Sequence, residues 1–199
     1  MEESSFLCGR SGEKLFPDSV SLADDANNAV YAGLPFDGEG TPRQRVELIS
    51  AGTLGGPVTD QNTASKMGVP CTGHSLPQPN THGPMATNLV LASGSESAES
   101  MLAGVERGLL VTQFHYTNLI EPRELTLTGM TRNGTFLVEN GAVTGAVKNL
   151  RFTQSLVEAL ANVRAVGDRQ EVAGALFDGE VVTPALAIDD FRFTSASDF

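Results

Sequence analysis

The pattern of apolar and polar positions is organised around Thr128 to Phe152, TGMTRNGTFLVENGAVTGAVKNLRF. Thr135–Glu139 and Ala142–Val147 are short β-rich runs separated by Asn140-Gly141. Asn-Gly between two such runs predicts a tight hairpin, because a type I′ turn needs positive φ at both central residues. A second turn at Arg132-Asn133-Gly134 is expected to feed the first run, so the stretch reads as a strand meander. Leu150-Arg151-Phe152 then leads into Ser155–Val163, where Leu156, Val157, Leu160 and Val163 mark one face of a helix.

The same pattern occurs earlier in the chain. Arg45–Ser50 and Thr53–Val58 predict a first hairpin, followed by a helix over Asp60–Lys66 with Asp60 as its cap and Gly68 past its end. Leu48–Asp60 aligns with Leu137–Asn149 without gaps, and each copy precedes a helical stretch. This predicts an internal hairpin–helix duplication, against the plainer alternative of two hairpins sharing one turn chemistry.

Elsewhere, Val20–Leu22 reads as a short strand, and Asp24–Asn28 and Leu34–Pro42 read as turns. Val69–Met85 reads as a long proline-rich loop lying mobile over a cleft. Asn88–Ala92 is an apolar strand, and Ser95 is expected to cap a helix that has Glu99 near its start and ends at Gly108. Leu109–His115 is a strand, Tyr116–Arg123 a connection, and Glu124–Thr128 the start of the meander. The last strand pair is expected at Val181–Ile188 and Phe191–Thr194, with Pro184 marking an edge or a bulge.

Length and composition narrow the fold. A chain of 199 residues with 40% hydrophobic and 19% charged residues is globular in composition and fits one domain or two small ones. Its 21 glycines and 10 prolines favour many chain reversals. The expected fold class is α+β, mainly antiparallel β, as two packed sheets or an incomplete barrel with about three outer helices. Residues 1–13 read as a lead-in, 14–195 as a single domain and 196–199 as a free tail.

Charge and cysteine usage limit the partners. A formal net charge of −11 without a Lys/Arg cluster argues against direct nucleic-acid binding. Met1–Ser5 is acidic and lacks the apolar core of a secretion signal, and no apolar run reaches the ~18 residues of a membrane helix. Cys8 and Cys71 make no disulfide framework. A cytoplasmic protein that does not engage membranes is expected.

Candidate chemistry is sparse. Asp37 and Glu39 are paired carboxylates of the kind that can do acid–base work, or equally an Asp-Gly turn with a solvent-facing Glu. Cys71, His74 and His82 could form a metal-ligand set, but their loop has few apolar anchors to support one. Cys71 with His74 or His115 stays open as a nucleophile pair. No Gly-x-Ser-x-Gly elbow or Walker-type phosphate loop is present.

From Lys14 to Thr194 the chain resembles the carboxy-terminal domain of the TldD/PmbA peptidases, also described as modulators of DNA gyrase. The resemblance rests on Phe36-Asp37-Gly38-Glu39-Gly40, the Val46–Asp60 hairpin, Met85-Ala86-Thr87-Asn88-Leu89, and the stretch from Thr128 to Phe152. It implies a part in a peptide-binding chamber, with Asp37, Glu39, Asn88, Arg132 and Asn149 as contact residues. The alternative it leaves is a non-catalytic module that pairs with a catalytic subunit.

The resemblance also implies where catalysis would reside. Active relatives resemble zinc peptidases with a His-Glu-x-x-x-His helix in an amino-terminal half, which this sequence lacks. Their third ligand, a cysteine, would fall near Leu176 of Gly174-Ala175-Leu176-Phe177. The chain therefore looks closer to the PmbA-like partner, as an isolated domain or a naturally reduced member. No catalytic residue, metal ligand or cofactor is expected in it, zinc being expected only in a catalytic partner or full-length relative. The implied partners are a peptide or unfolded protein and a second subunit, identical or TldD-like.

Overall fold

The computed structural model describes residues 6–7, 9–176 and 179–196, the side chains of 175–176 and 179 excepted. The described residues form two sheets and three helices, without a closed barrel. The six-stranded sheet runs β3-β2-β1-β4-β10-β9. Its strands are β1 (Leu22–Asp24), β2 (Val46–Ser50), β3 (Thr53–Leu54), β4 (Leu89–Leu91), β9 (Val163–Leu176) and β10 (Gly179–Ile188). The five-stranded sheet holds β5 (Arg107–Glu121), β6 (Thr126–Glu139), β7 (Ala142–Ala146), β8 (Leu150–Ser155) and β11 (Phe193–Ala196), in the order β11-β8-β6-β5 with β7 also on β6. The strand pairs are antiparallel except β4 with β10. The expected α+β class with mainly antiparallel strands holds.

Turn chemistry explains both hairpins. Ala51-Gly52 has φ of 42° and 75°, and Asn140-Gly141 has 50° and 78°, so each joins its strands through two left-handed residues. Gly52 has a second reason to be glycine: an added Cβ would lie 2.0 Å from the Phe16 carbonyl oxygen. The two hairpins belong to different sheets, and β8 separates the second from its helix.

The helices start where side chains cap them. Asp60 accepts from Thr63 N (2.7 Å) at α1 (Gln61–Met67), and Gly68 closes it with φ of 67°. Ser97, not Ser95, caps α2 (Ala98–Ala103), which ends at Gly104 rather than Gly108. Ser155 caps α3 (Leu156–Ala161). Of the expected apolar face of α3, Val157 and Leu160 pack on the core, while Leu156 is exposed.

The second sheet departs most from the sequence pattern. Arg132-Asn133-Gly134 is not a turn: β6 runs straight through it. Asn133 and Gly134 take positive φ at a register shift against β5, which is a bulge. Tyr116–Glu121, expected as a connection, continues β5 beyond a shift at His115/Asn118. Val163–Leu176, not read as a strand at all, is β9 and pairs with β10, whereas β11 pairs with β8. Pro184 lies at a register shift, hence at a bulge inside the sheet.

The core sits under the six-stranded sheet. Phe16, Val20, Ile49, Leu54, Leu91, Val163 and Val166 are buried together. Phe6 and Leu7 pack against them, and the Gly12 N–H donates to the Leu54 carbonyl (2.8 Å), so this part of the lead-in is held by the first hairpin. Ala196 still pairs with Leu150, one residue into the predicted tail. In the other sheet Phe152 is buried and packs edge-on against Phe114, with ring centroids 4.9 Å apart.

Candidate functional site

Polar side chains are buried where β1, β4 and the 69–85 loop meet. Asp24 ends β1 and is completely buried, not in a turn. Its Oδ1 accepts from His74 Nε2 (3.0 Å), and its Oδ2 accepts from the Asn88 backbone N–H (2.9 Å). His74, also fully buried, meets Thr72 Oγ1 through Nδ1 at 2.9 Å. Thr72 and Thr59 bond to each other through backbone and hydroxyl groups, and the His74 N–H donates to the Thr59 carbonyl. Thr72 and His74 of the loop are thus pinned by polar contacts rather than by apolar anchors.

Burial pushes the Asp24 carboxyl up. The hydrogen bonds from His74 and the Asn88 N–H, with the charges of His74 and Arg43, outweigh that and hold it below its ordinary value of 3.8. A depressed carboxylate stabilises the fold above its unfolded value and loses that stabilisation as pH falls through the folded one. The urea midpoint is therefore expected to drop as pH falls below 3.8. An Asp24→Asn variant titrated alongside should lack this part of the acid limb.

Beside this pair lies a small cleft of ≈ 100 Å³, with Arg43, Asp37, Thr87 and Asn88 among its lining residues. Arg43 Nη1 donates to Thr87 Oγ1 (2.8 Å) and lies 3.4 Å from Asn88 Oδ1. Asp37 Oδ1 accepts from Glu39 N and Thr41 N, and its Oδ2 accepts from Ser75 N (2.8 Å). Glu39 is exposed and accepts from Gln61 N at the start of α1 (3.1 Å). The two carboxylates thus organise a turn and a helix start, which is the Asp-Gly turn reading with an added capping role for Glu39.

The structure brings Asp37 and Asn88 to one cleft, with Glu39 on the adjoining turn. Arg132 and Asn149 lie in the other sheet's region: Arg132 is exposed on β6 opposite Gln113 of β5, and Asn149 lies between β7 and β8. Sequence reasoning passed over Arg43 and Asp24. Asp24 looked like a turn residue because its partner is 50 positions away.

Cys71, His74 and His82 do not converge. Both ring nitrogens of His74 are engaged, Cys71 Sγ faces the Thr59 carbonyl (3.7 Å), and His82 is exposed. With both nitrogens occupied, His74 cannot activate Cys71, and His115 sits on β5 against Tyr116. Among the described residues no three His, Cys, Asp or Glu side chains gather as a metal site, so they do not make up the donor set a zinc ion needs. Leu176 closes β9, and its side chain, like those around Phe177, lies outside the described residues.

The model of the PmbA/TldA metallopeptidase C-terminal domain matches residues 1–195. The chain belongs to this PmbA/TldD family. It is 28% identical to the metalloprotease TldD homolog of Haemophilus influenzae, over 95% of this chain and 41% of that protein. It is equally 28% identical to the metalloprotease PmbA of Escherichia coli, over 94% of this chain and 39% of that protein. The crystal structure of TldE from Thermococcus kodakarensis shares the fold with a TM-score of 0.81 at 24% identity, covering 98% of this chain and 44% of that one. The chain thus spans about two fifths of the curated relatives it matches. No helix among its described residues is long and apolar enough to cross a membrane.

Proposed function

We propose that this carboxy-terminal domain forms part of the wall of a peptide-binding chamber in a TldD/PmbA-type peptidase. The observation that carries the reading is the free edge of β5. Within the described sheet β5 pairs with β6 alone, which leaves one side of a 15-residue strand with backbone donors and acceptors facing outward. An extended peptide can add to such an edge through main-chain hydrogen bonds, whatever its sequence. Arg132 lies one strand in from that edge. Zinc and the catalytic step belong to other parts of the assembled protein, and the chain alone is expected to cleave no peptide.

A second reading has its own support. Tyr116, Leu119 and Ile120 are 71%, 50% and 53% exposed on the same strand, and such a surface also suits a second subunit, identical or TldD-like. Binding of an unstructured fluorescent peptide to the chain, followed by anisotropy, tests the first. Leu119→Lys with Ile120→Lys adds charge on both faces of β5 at exposed positions, so folding is preserved and peptide affinity should fall about tenfold. Unchanged affinity removes β5 from peptide binding. Loss of dimer mass in the same variant, with peptide affinity unchanged, favours the assembly reading.

A further inference from the structure

The free edge of β5 borders two sheet faces of opposite chemistry. From Gln113 to His115 the register against β6 is unbroken: Gln113 pairs with Arg132, Phe114 with Thr131 and His115 with Met130. Successive strand residues point to opposite faces, and cross-strand partners point to the same one. Gln113, His115, Met130 and Arg132 therefore share one face, and Phe114 lies on the other. β8 widens the first face by one strand, since Arg151 pairs with Met130.

The arginine face has cations without acids. Arg132 and Arg151 are exposed, and neither belongs to an ion pair among the described residues. Arg151 Nη2 lies 4.0 Å from Met130 Sδ, so its guanidinium leans over β6, the strand that carries Arg132. The acids of β5, β6 and β8 are Glu121 and Glu139, which pair with Thr126 and Arg107 at the two ends of the β5–β6 ladder. Both lie roughly 13 Å or more along the strands from the two arginines, beyond the ~8 Å screening length of physiological salt. Residues 107–155 hold five of the chain's 13 Lys and Arg but three of its 24 Asp and Glu, so an anion repelled elsewhere on the chain is attracted here.

The opposite face is aromatic. Phe114 is 44% exposed and rests on Phe152 and Phe191, with ring centroids 4.9 and 5.6 Å away. A strand added to the outer edge of β5 extends both faces. Its residue opposite Phe114 falls on the aromatic side, and the two flanking residues, opposite Gln113 and His115, fall on the arginine side. The added strand then lies two strand spacings from Arg132, about 10 Å, a gap that a glutamate and an arginine bridge by reaching toward each other.

We propose that the β5 edge selects acidic peptides in which an aromatic or large aliphatic residue stands between two carboxylates. The carboxylates pair with Arg132 and Arg151, and the apolar residue covers the free side of Phe114. The inference rests on the peptide-binding reading above and adds to it the class of sequence that binds.

The test is fluorescence anisotropy of the whole chain with three labelled Gly/Ser peptides of equal length, carrying Glu-Phe-Glu, Lys-Phe-Lys or Glu-Ser-Glu at the centre. Glu-Phe-Glu should bind most tightly. Lys-Phe-Lys should bind about tenfold more weakly at low salt, two exposed ion pairs being replaced by two repulsions, and the difference should shrink at high salt. Glu-Ser-Glu should bind about fivefold more weakly at either salt. Arg132→Gln with Arg151→Gln, at exposed positions, should leave the melting temperature unchanged and remove the preference for Glu over Lys, while the preference for Phe over Ser persists. Equal binding of the Glu and Lys peptides, or a Glu preference that survives the double variant, overturns the proposal. Equal binding of all three peptides removes the selectivity and leaves the β5 peptide reading standing. Failure of all three to bind removes that reading first.

Discussion

Replacing Asp24 with alanine is expected to lower the unfolding free energy by about 3–5 kcal/mol, the range for stripping one partner from a buried polar pair. The physical reason is the number of groups that depend on one carboxylate. His74 Nε2 and the Asn88 N–H both donate to it, and both belong to residues at 2% exposure or less. Water cannot take over either role without opening the junction between β1, β4 and the 69–85 loop. Urea denaturation at neutral pH checks the figure. The double variant Asp24→Ala/His74→Ala should lose less than the sum of the two single losses, because the second change removes a donor already orphaned. A loss of under about 1 kcal/mol in Asp24→Ala would mean that the pair is not formed.

Asp37 carries the second large effect. Its carboxylate accepts three backbone N–H groups, from Glu39, Thr41 and Ser75, at 6% exposure. Asp37→Ala is expected to cost about 2–4 kcal/mol, less than three charged hydrogen bonds in full because the turn at Gly38–Gly40 is exposed and water can reach part of it. Glu39→Ala should cost well under half as much, since Glu39 is exposed and serves one N–H at the start of α1. The comparison separates a structural acid from a chemical one. A carboxylate free for proton transfer would tolerate substitution in stability, whereas the three N–H groups held by Asp37 require a stability loss. Equal stability of the two variants with the wild type would contradict it.

How much of this was legible depends on the range of the interaction. Helix caps and hairpin turns are decided within four residues, so Asp60, Gly68 and Asn140-Gly141 could be read directly. The Arg132–Gly134 bulge could not, because positive φ at Asn133 and Gly134 serves a turn or a bulge alike. The choice was made by β5, the partner strand from Arg107 to Glu121. β5 and β9 were cut short or missed for a related reason: their exposed residues break strict alternation, and long-range pairing holds them extended. Ser97 displaced Ser95 as a cap by two positions within one serine-rich stretch, which propensity alone does not resolve.

The site shows the same limit more sharply. Asp37 and Asn88 were marked by the motifs around them, and both line the cleft. Arg43 and Asp24 had no local signature, since each earns its place through partners 44 and 50 residues away. The 69–85 loop looked unsupported because it lacks bulky apolar residues. Its support is polar: Thr59, Thr72, His74 and Asp24 in one connected set of hydrogen bonds.

An extended peptide received along β5 would cover the backbone amides of its outer edge. Amide hydrogen exchange, residue by residue, with and without a saturating unstructured peptide, tests it most directly. Because β6 already occupies one side of β5, alternate amides between Arg107 and Glu121 should exchange fast in the free chain and slow on peptide addition. An exchange pattern over Arg107–Glu121 that does not change when the peptide is bound would contradict the claim.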